Sequence, residues 1–185
     1  MNFAELVEIP DRSQYNVGLS SPSNARMIEL LGNPRDSFSG DCQPVTNRTL
    51  ARKISTMKLG NVRLTGLTIA IESLKSIFTR VSVEIPALIP HLSTAGMLCC
   101  RRVKLPGGVL GRNISNHSWG TAVDVKVGGE LDAQGDGRAQ RGLLILSTYF
   151  NAAGWVWGAS FPREDAMHFE VSSQLLTKWS RDGLI

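Results

Sequence analysis

Apolar and polar residues alternate most regularly in Thr121-Ala122-Val123-Asp124-Val125-Lys126-Val127, a β-branched run that reads as a strand. Val123, Val125 and Val127 would share one face and Asp124 would lie on the other. Met167-His168-Phe169-Glu170-Val171 repeats the pattern, with His168 and Glu170 opposing Met167, Phe169 and Val171. Side by side, two such strands bring Asp124 and His168 together. A helical period takes over after Thr65-Gly66-Leu67-Thr68: Ile71, Leu74, Ile77, Phe78 and Val81 recur on one side, while Glu72, Lys75 and Arg80 face out. A shorter helix is predicted with Ser21 as its N-cap, Pro22 at its first position and Gly32 as its stop, its stripe being Met27, Leu30 and Leu31. Two more fall at about 138–151 (Leu143, Leu144, Leu146 and Phe150 inward, Gly154 beyond the end) and near 173–180, with Leu175, Leu176 and Trp179 packed.

Residues 97–105 read as a strand ending at Pro106-Gly107-Gly108, and Trp155 and Trp157 alternate on another, where filling the core is the safer reading of both rings. Residues 33–47, rich in Pro, Ser, Gly and Asp, read as loop. Residues 1–20 look like an N-terminal arm, leaving 21–185 as a single domain. A few helices beside a small sheet, with no regular βαβ repeat, predict an α+β fold.

Composition changes this picture little: 185 residues, 42% of them hydrophobic and 19% charged, suit one globular domain. No run approaches the roughly 18 apolar residues of a membrane span. The net charge of +4 is scattered, with only Arg101, Arg102 and Lys104 close together. Nucleic acid is the first partner such a charge suggests, yet attraction to an anionic polymer such as a cell wall fits equally well, and the charge alone decides nothing. The first residues carry early acids and no long apolar core, so no secretory signal is expected. Cys42, Cys99 and Cys100 are an odd set without metal-knuckle spacing. One of the adjacent pair could join Cys42 in an oxidising compartment; buried free thiols are the simpler expectation.

The chemistry sits on the two polar-faced strands. The chain has three histidines; His117 precedes Asp124, and His168 follows Asp165. Two imidazoles and a carboxylate are a standard ligand set for catalytic zinc, which keeps a position open for water. Gly120 can turn the chain so that His117 folds back over Asp124. Any one of these residues alone would more often be structural. The third histidine, His91, lies just after Pro86 and Pro90, in a stretch that reads as surface loop outside the metal set. Asp132-x-Gln134-x-Asp136-Gly137 faintly echoes a calcium loop, but Leu143 stands where a bidentate Glu belongs, so calcium is rejected and the glycine-rich turn is expected to rim the cleft.

Ser115-x-His117-x-x-Gly120-x-Ala122-x-Asp124 followed by Asp165-x-x-His168 resembles the zinc peptidases that cut peptidoglycan stem peptides: D-alanyl-D-alanine carboxypeptidases, D-Ala-D-Ala dipeptidases and L-alanyl-D-glutamate endopeptidases of phage lysins. The resemblance runs from about Leu64 to Trp179. It implies the antiparallel-sheet fold shared with the hedgehog signalling domain, zinc held by His117, Asp124 and His168, and Asp165 as general base, with Glu164 its neighbouring rival. It also implies a substrate-binding arginine on the strand ahead of the first motif, Arg101 by its Cys-x-Arg context, with Arg102 as alternate. Glu170 would orient a ligand, Ser115 would form a local hydrogen-bonding cap and Trp119 would pack. The expected partner is a peptidoglycan stem peptide, met by a monomer with no nucleic acid involved. The expected place is the cell wall, reached as a phage lysin or by a non-classical export route. Two readings compete: a zinc-bearing binding domain without turnover, and a metal-free structural domain.

Overall fold

In the computed structural model, which describes residues 1–59 and 62–185, the elements run β1 (Leu6–Glu8), α1 (Asn24–Leu31), α2 (Arg48–Ala51), β2 (Ile54–Leu59), β3 (Val62–Leu67), α3 (Thr68–Glu84), β4 (Leu92–Gly96), β5 (Arg102–Lys104) and β6 (Leu110–Ile114). They continue with β7 (Ala122–Val127), β8 (Arg138–Gln140), α4 (Arg141–Ala152), β9 (Trp155–Trp157), β10 (His168–Val171) and α5 (Ser173–Arg181). The fold is α+β. Its main sheet is antiparallel in the order β4-β7-β10-β9, and three two-stranded pairs, β1-β8, β2-β3 and β5-β6, surround it.

The two faces of that sheet have opposite chemistry because side chains alternate along each strand. Val123, Val125, Val127, Phe169 and Val171 are buried on one face. Phe150 of α4 stacks on Phe169 at 4.0 Å between centroids and meets Phe78 of α3 edge-on at 6.1 Å, so both helices cover this face. Trp155 and Trp157 are fully buried, and the Trp155 indole N–H donates to Ser73 of α3 at 3.0 Å. Burying each such side chain contributes about 1.5–3 kcal/mol. That apolar layer offsets the opposite face, where carboxylates and imidazoles lie close together out of water.

Several elements differ from expectation. The cap of α1 is Ser23, whose hydroxyl accepts from the Arg26 N–H, so Pro22 precedes the cap instead of opening the helix; Gly32 ends it as expected. Residues 97–101 do not join β5: Cys100 exchanges both backbone bonds with Gln43, and the Arg101 N–H goes to the Ser118 hydroxyl, so the ladder's donors and acceptors are used elsewhere. Residues 138–140, expected to begin a helix, form β8 because β1 pairs with them. The first twenty residues therefore pack on the domain: Phe3 is buried, and Asn16 bonds to the backbone of Trp157 and the side chain of Asn151. Cys42 and Cys99 form a disulfide with Cα atoms 4.9 Å apart, the alternative that the sequence left open beside buried free thiols. Cys100 alone remains a buried free thiol, and burial pushes its pKa up to about 11.

Candidate metal centre

On the polar face, register does most of the assembly. His168 in β10 is the direct cross-strand partner of Asp124 in β7, so their side chains rise together from one surface. His117 arrives from a single helical turn, Asn116–Trp119, that precedes β7. Gly120 ends this turn in the left-handed region (φ 65°, ψ 37°), and its N–H bonds back to the His117 carbonyl. The turn is pinned elsewhere too, by the Cys99 N–H on the His117 carbonyl and by the buried Trp119 indole on Gly32. Ser115 stands at the N-cap position without a side-chain cap bond; it is the hydroxyl of Ser118 that ties the turn to Arg101.

His117 Nε2 lies 3.2 Å from Asp124 Oδ1, and His168 Nδ1 lies 3.1 Å from the same oxygen. The remaining nitrogens are occupied: His117 Nδ1 faces the Met97 carbonyl at 2.8 Å, and His168 Nε2 faces Glu170 Oε2 at 3.0 Å. That Glu170 oxygen also accepts from the Asn116 amide at 2.8 Å. A carbonyl and a carboxylate require donors, so each neutral ring carries its proton on the outer nitrogen and turns a lone pair toward Asp124. Three acceptors then converge, each ring nitrogen within 3.2 Å of the carboxylate oxygen, which repels unless a cation or extra protons lie between them. The three donor atoms lie within 4.8 Å of one another, close enough to hold one metal ion, and the chemistry of the set fits that use.

Without such a cation, protons take its place. Burial works to raise the Asp124 carboxyl, but the two histidines outweigh it and hold it well below the usual carboxylate range. Burial opposes the charged form of His168, yet its bonds to Asp124 and Glu170 lift its pKa well above that of an ordinary imidazole.

The centre lines a cleft of about 710 Å³ together with Arg101, Lys104, Gln134, Arg163 and Asp165. Asp165 is set by β9 and the loop after it: its N–H bonds to the Gly158 carbonyl, its carbonyl accepts from the His168 N–H, and the Trp157 indole holds the Ala166 carbonyl at 2.7 Å. Burial raises the Asp165 carboxyl and Asp124 adds to this, while His168 and Gln134 pull it down. Glu164 does not line this cleft: it is buried, and its two oxygens accept from the N–H groups of Gly135, Gly137 and Ala166. Arg101 borders the cleft, whereas Arg102 does not; it turns onto Arg112 and the Phe38 ring. His91 lies outside the centre, beside Phe3. Asn116 and Gln134 were not anticipated as site residues.

This set of side chains could hold a metal ion: two imidazoles and a carboxylate, with an acid beside them. Residues 110–171 match the family model described as D-alanyl-D-alanine carboxypeptidase, and over that stretch the chain carries this peptidase family's pattern. The matched stretch spans His117, Asp124, Asp165 and His168 and leaves Arg101 outside. No curated protein and no solved structure matches the chain.

Proposed function

We propose that the chain is a zinc-dependent peptidase that hydrolyses peptidoglycan stem peptides, of D-Ala-D-Ala carboxypeptidase or L-Ala-D-Glu endopeptidase type. The observation that carries this reading is the convergence of His117, Asp124 and His168 with their outer nitrogens already bonded, beside an acid in the same cleft. Zinc held there would supply Lewis acidity, bringing the pKa of water near 7 and polarising a peptide carbonyl. Asp165 would take a proton from the attacking water and return it to the leaving amine. Arg101 would steady negative charge on the scissile carbonyl oxygen. Arg101, Lys104 and Arg163 border the cleft without an ion pair among the described residues, which suits a peptide rich in free carboxylates. Among the described residues, no helix is long and apolar enough to cross a membrane. We place the activity at the cell wall, in a monomer.

The rival reading, a zinc-bearing binding domain without turnover, is disfavoured by the acid Asp165, which stands three positions before His168 and lines the same cleft. Mass spectrometry of fragments released from purified peptidoglycan tests the proposal and names the bond. Elemental analysis should give about one zinc per chain, and chelation should abolish turnover that added zinc restores. Asp165→Asn should keep zinc and lose about 10²–10⁴-fold in turnover. Asp124→Asn should lose both, because a neutral amide is a poor zinc ligand. Well-folded protein that takes up no zinc, or an Asp165→Asn variant with full activity, would overturn the assignment.

A further inference from the structure

The glycine-rich turn after β7 touches the candidate site at one point. Gln134 donates from Nε2 to Asp165 Oδ2 at 2.7 Å, across 31 residues of sequence. An exposed glutamine would ordinarily spend little time in one rotamer, because ordering a long side chain costs about 1.5–2 kcal/mol. Here the backbone next to it is fixed. The Gly135 N–H bonds to the Glu164 carbonyl at 3.0 Å and to Glu164 Oε2 at 3.0 Å, and Gly137 bonds to the same carboxylate oxygen at 3.3 Å. The other Glu164 oxygen holds the Ala166 N–H at 2.8 Å. Residue 135 is thus tied to residue 164, and the adjacent pair, 134 and 165, meets through its side chains.

The two oxygens of Asp165 are therefore unlike. Oδ2 has the glutamine amide; Oδ1 is buried and has no partner. We propose that Gln134 is a positioning residue for Asp165, anchoring Oδ2 and so fixing the rotamer that keeps the carboxylate on the cleft beside Asp124 and His168. Glu164, next to the base in sequence, serves the same end by clamping the turn. The inference rests on the peptidase reading above, and it predicts a division of labour between two adjacent acids: one exchanges protons and the other never reaches the substrate.

Zinc-loaded, full-length Gln134→Ala, Gln134→Glu and wild type are compared on purified stem peptides. Gln134 is exposed, so the fold and zinc content should be unchanged. Losing a hydrogen bond to a charged group should lower kcat about 10- to 100-fold with KM within about 2-fold. The acidic limb of the pH profile should move to higher pH in Gln134→Ala and further in Gln134→Glu, where a second carboxylate faces Asp165. A rise in KM alone would show that Gln134 binds substrate, and unchanged kcat and pH profile would show that it does nothing; either result overturns the proposal. Carbon-13 NMR of the aspartate carboxyls in the same proteins separates this from failure of the peptidase reading. If wild type cleaves no stem peptide, the peptidase reading fails, while an upward shift of the Asp165 titration in Gln134→Ala still supports the contact, and an unshifted titration still overturns it.

Discussion

Among the individual residues, Glu170 shows how much of the site lies one step behind the ligands. Its carboxylate is buried, and a single oxygen receives both the His168 ring and the Asn116 amide. Burial would raise its pKa, but the bond from His168 prevails and keeps it ionised below the ordinary range. It thereby fixes the His168 tautomer that turns Nδ1 toward Asp124. Partners of this kind typically contribute 10–100-fold in metal affinity. Glu170→Ala should weaken zinc binding by about that factor in a chelator competition. Glu170→Gln, which can still accept both bonds, should lose less. Equal affinity in Glu170→Ala and wild type would mean that packing alone orients the ring. The alternation of β10 already placed Glu170 beside His168; Asn116 was hidden because its bond spans 54 residues and depends on where a loop closes.

At the scale of elements, the turn carrying His117 depends on a contact with a hairpin that the residue pattern did not disclose. A Cβ at Gly120 would stand 2.6 Å from the Gly66 Cα and the Leu67 nitrogen of β3, and its φ of 65° disfavours any other residue. The Leu67 N–H also bonds to the Gly120 carbonyl at 2.9 Å. Gly120→Ala should therefore destabilise the fold by about 2 kcal/mol or more in denaturant unfolding and reduce zinc binding as His117 is displaced. Normal zinc affinity in a stable Gly120→Ala protein would show that the turn can yield. The sheet's two central strands, α3, α4 and α5, and the meeting of Asp124 with His168, were legible because period and face are local properties of sequence. The β2-β3 hairpin, β4 and β6 were not anticipated. The pairing of β1 with β8 was equally hidden, since it joins segments about 130 residues apart, and of the Cys42–Cys99 link the sequence offered only an alternative that left open which of Cys99 and Cys100 pairs. Of the expected strand 97–105, β5 formed, but residues 97–101 did not, for the converse reason: good local propensity lost to loop partners, Gln43 and Ser118, that satisfied their backbone.

At the scale of the whole molecule, a net charge of +4 conceals an acidic corner. Asp132 is buried under the glycine-rich turn, with one oxygen accepting the Gln140 N–H at 2.6 Å and the other without a partner among the described residues. Burial chiefly, helped by the charges of Glu164, Asp136 and Asp165, raises its pKa to about 6, against the opposing bond from Gln140. The folded state thus holds this proton more tightly than the unfolded chain, whose aspartate ionises near pH 4. Between those values the unfolded chain binds fewer protons, so this group's contribution to stability falls as pH rises, and the loss is complete once pH passes well above 6. Asp132→Asn mimics the protonated form and should remove that dependence. The thermal midpoint of wild type relative to the variant should therefore decline from pH 5 to pH 7.5, with the pH dependence of metal binding common to both proteins. A difference that stays flat, or grows in favour of wild type, would show that Asp132 is already ionised in the fold. Because the same turn presents Gln134 to Asp165, the loss of stability as pH rises to about 6 should appear first as lower protection factors, corrected for the intrinsic pH dependence of exchange, at Gly135 and Gly137, whose N–H groups close the turn onto Glu164.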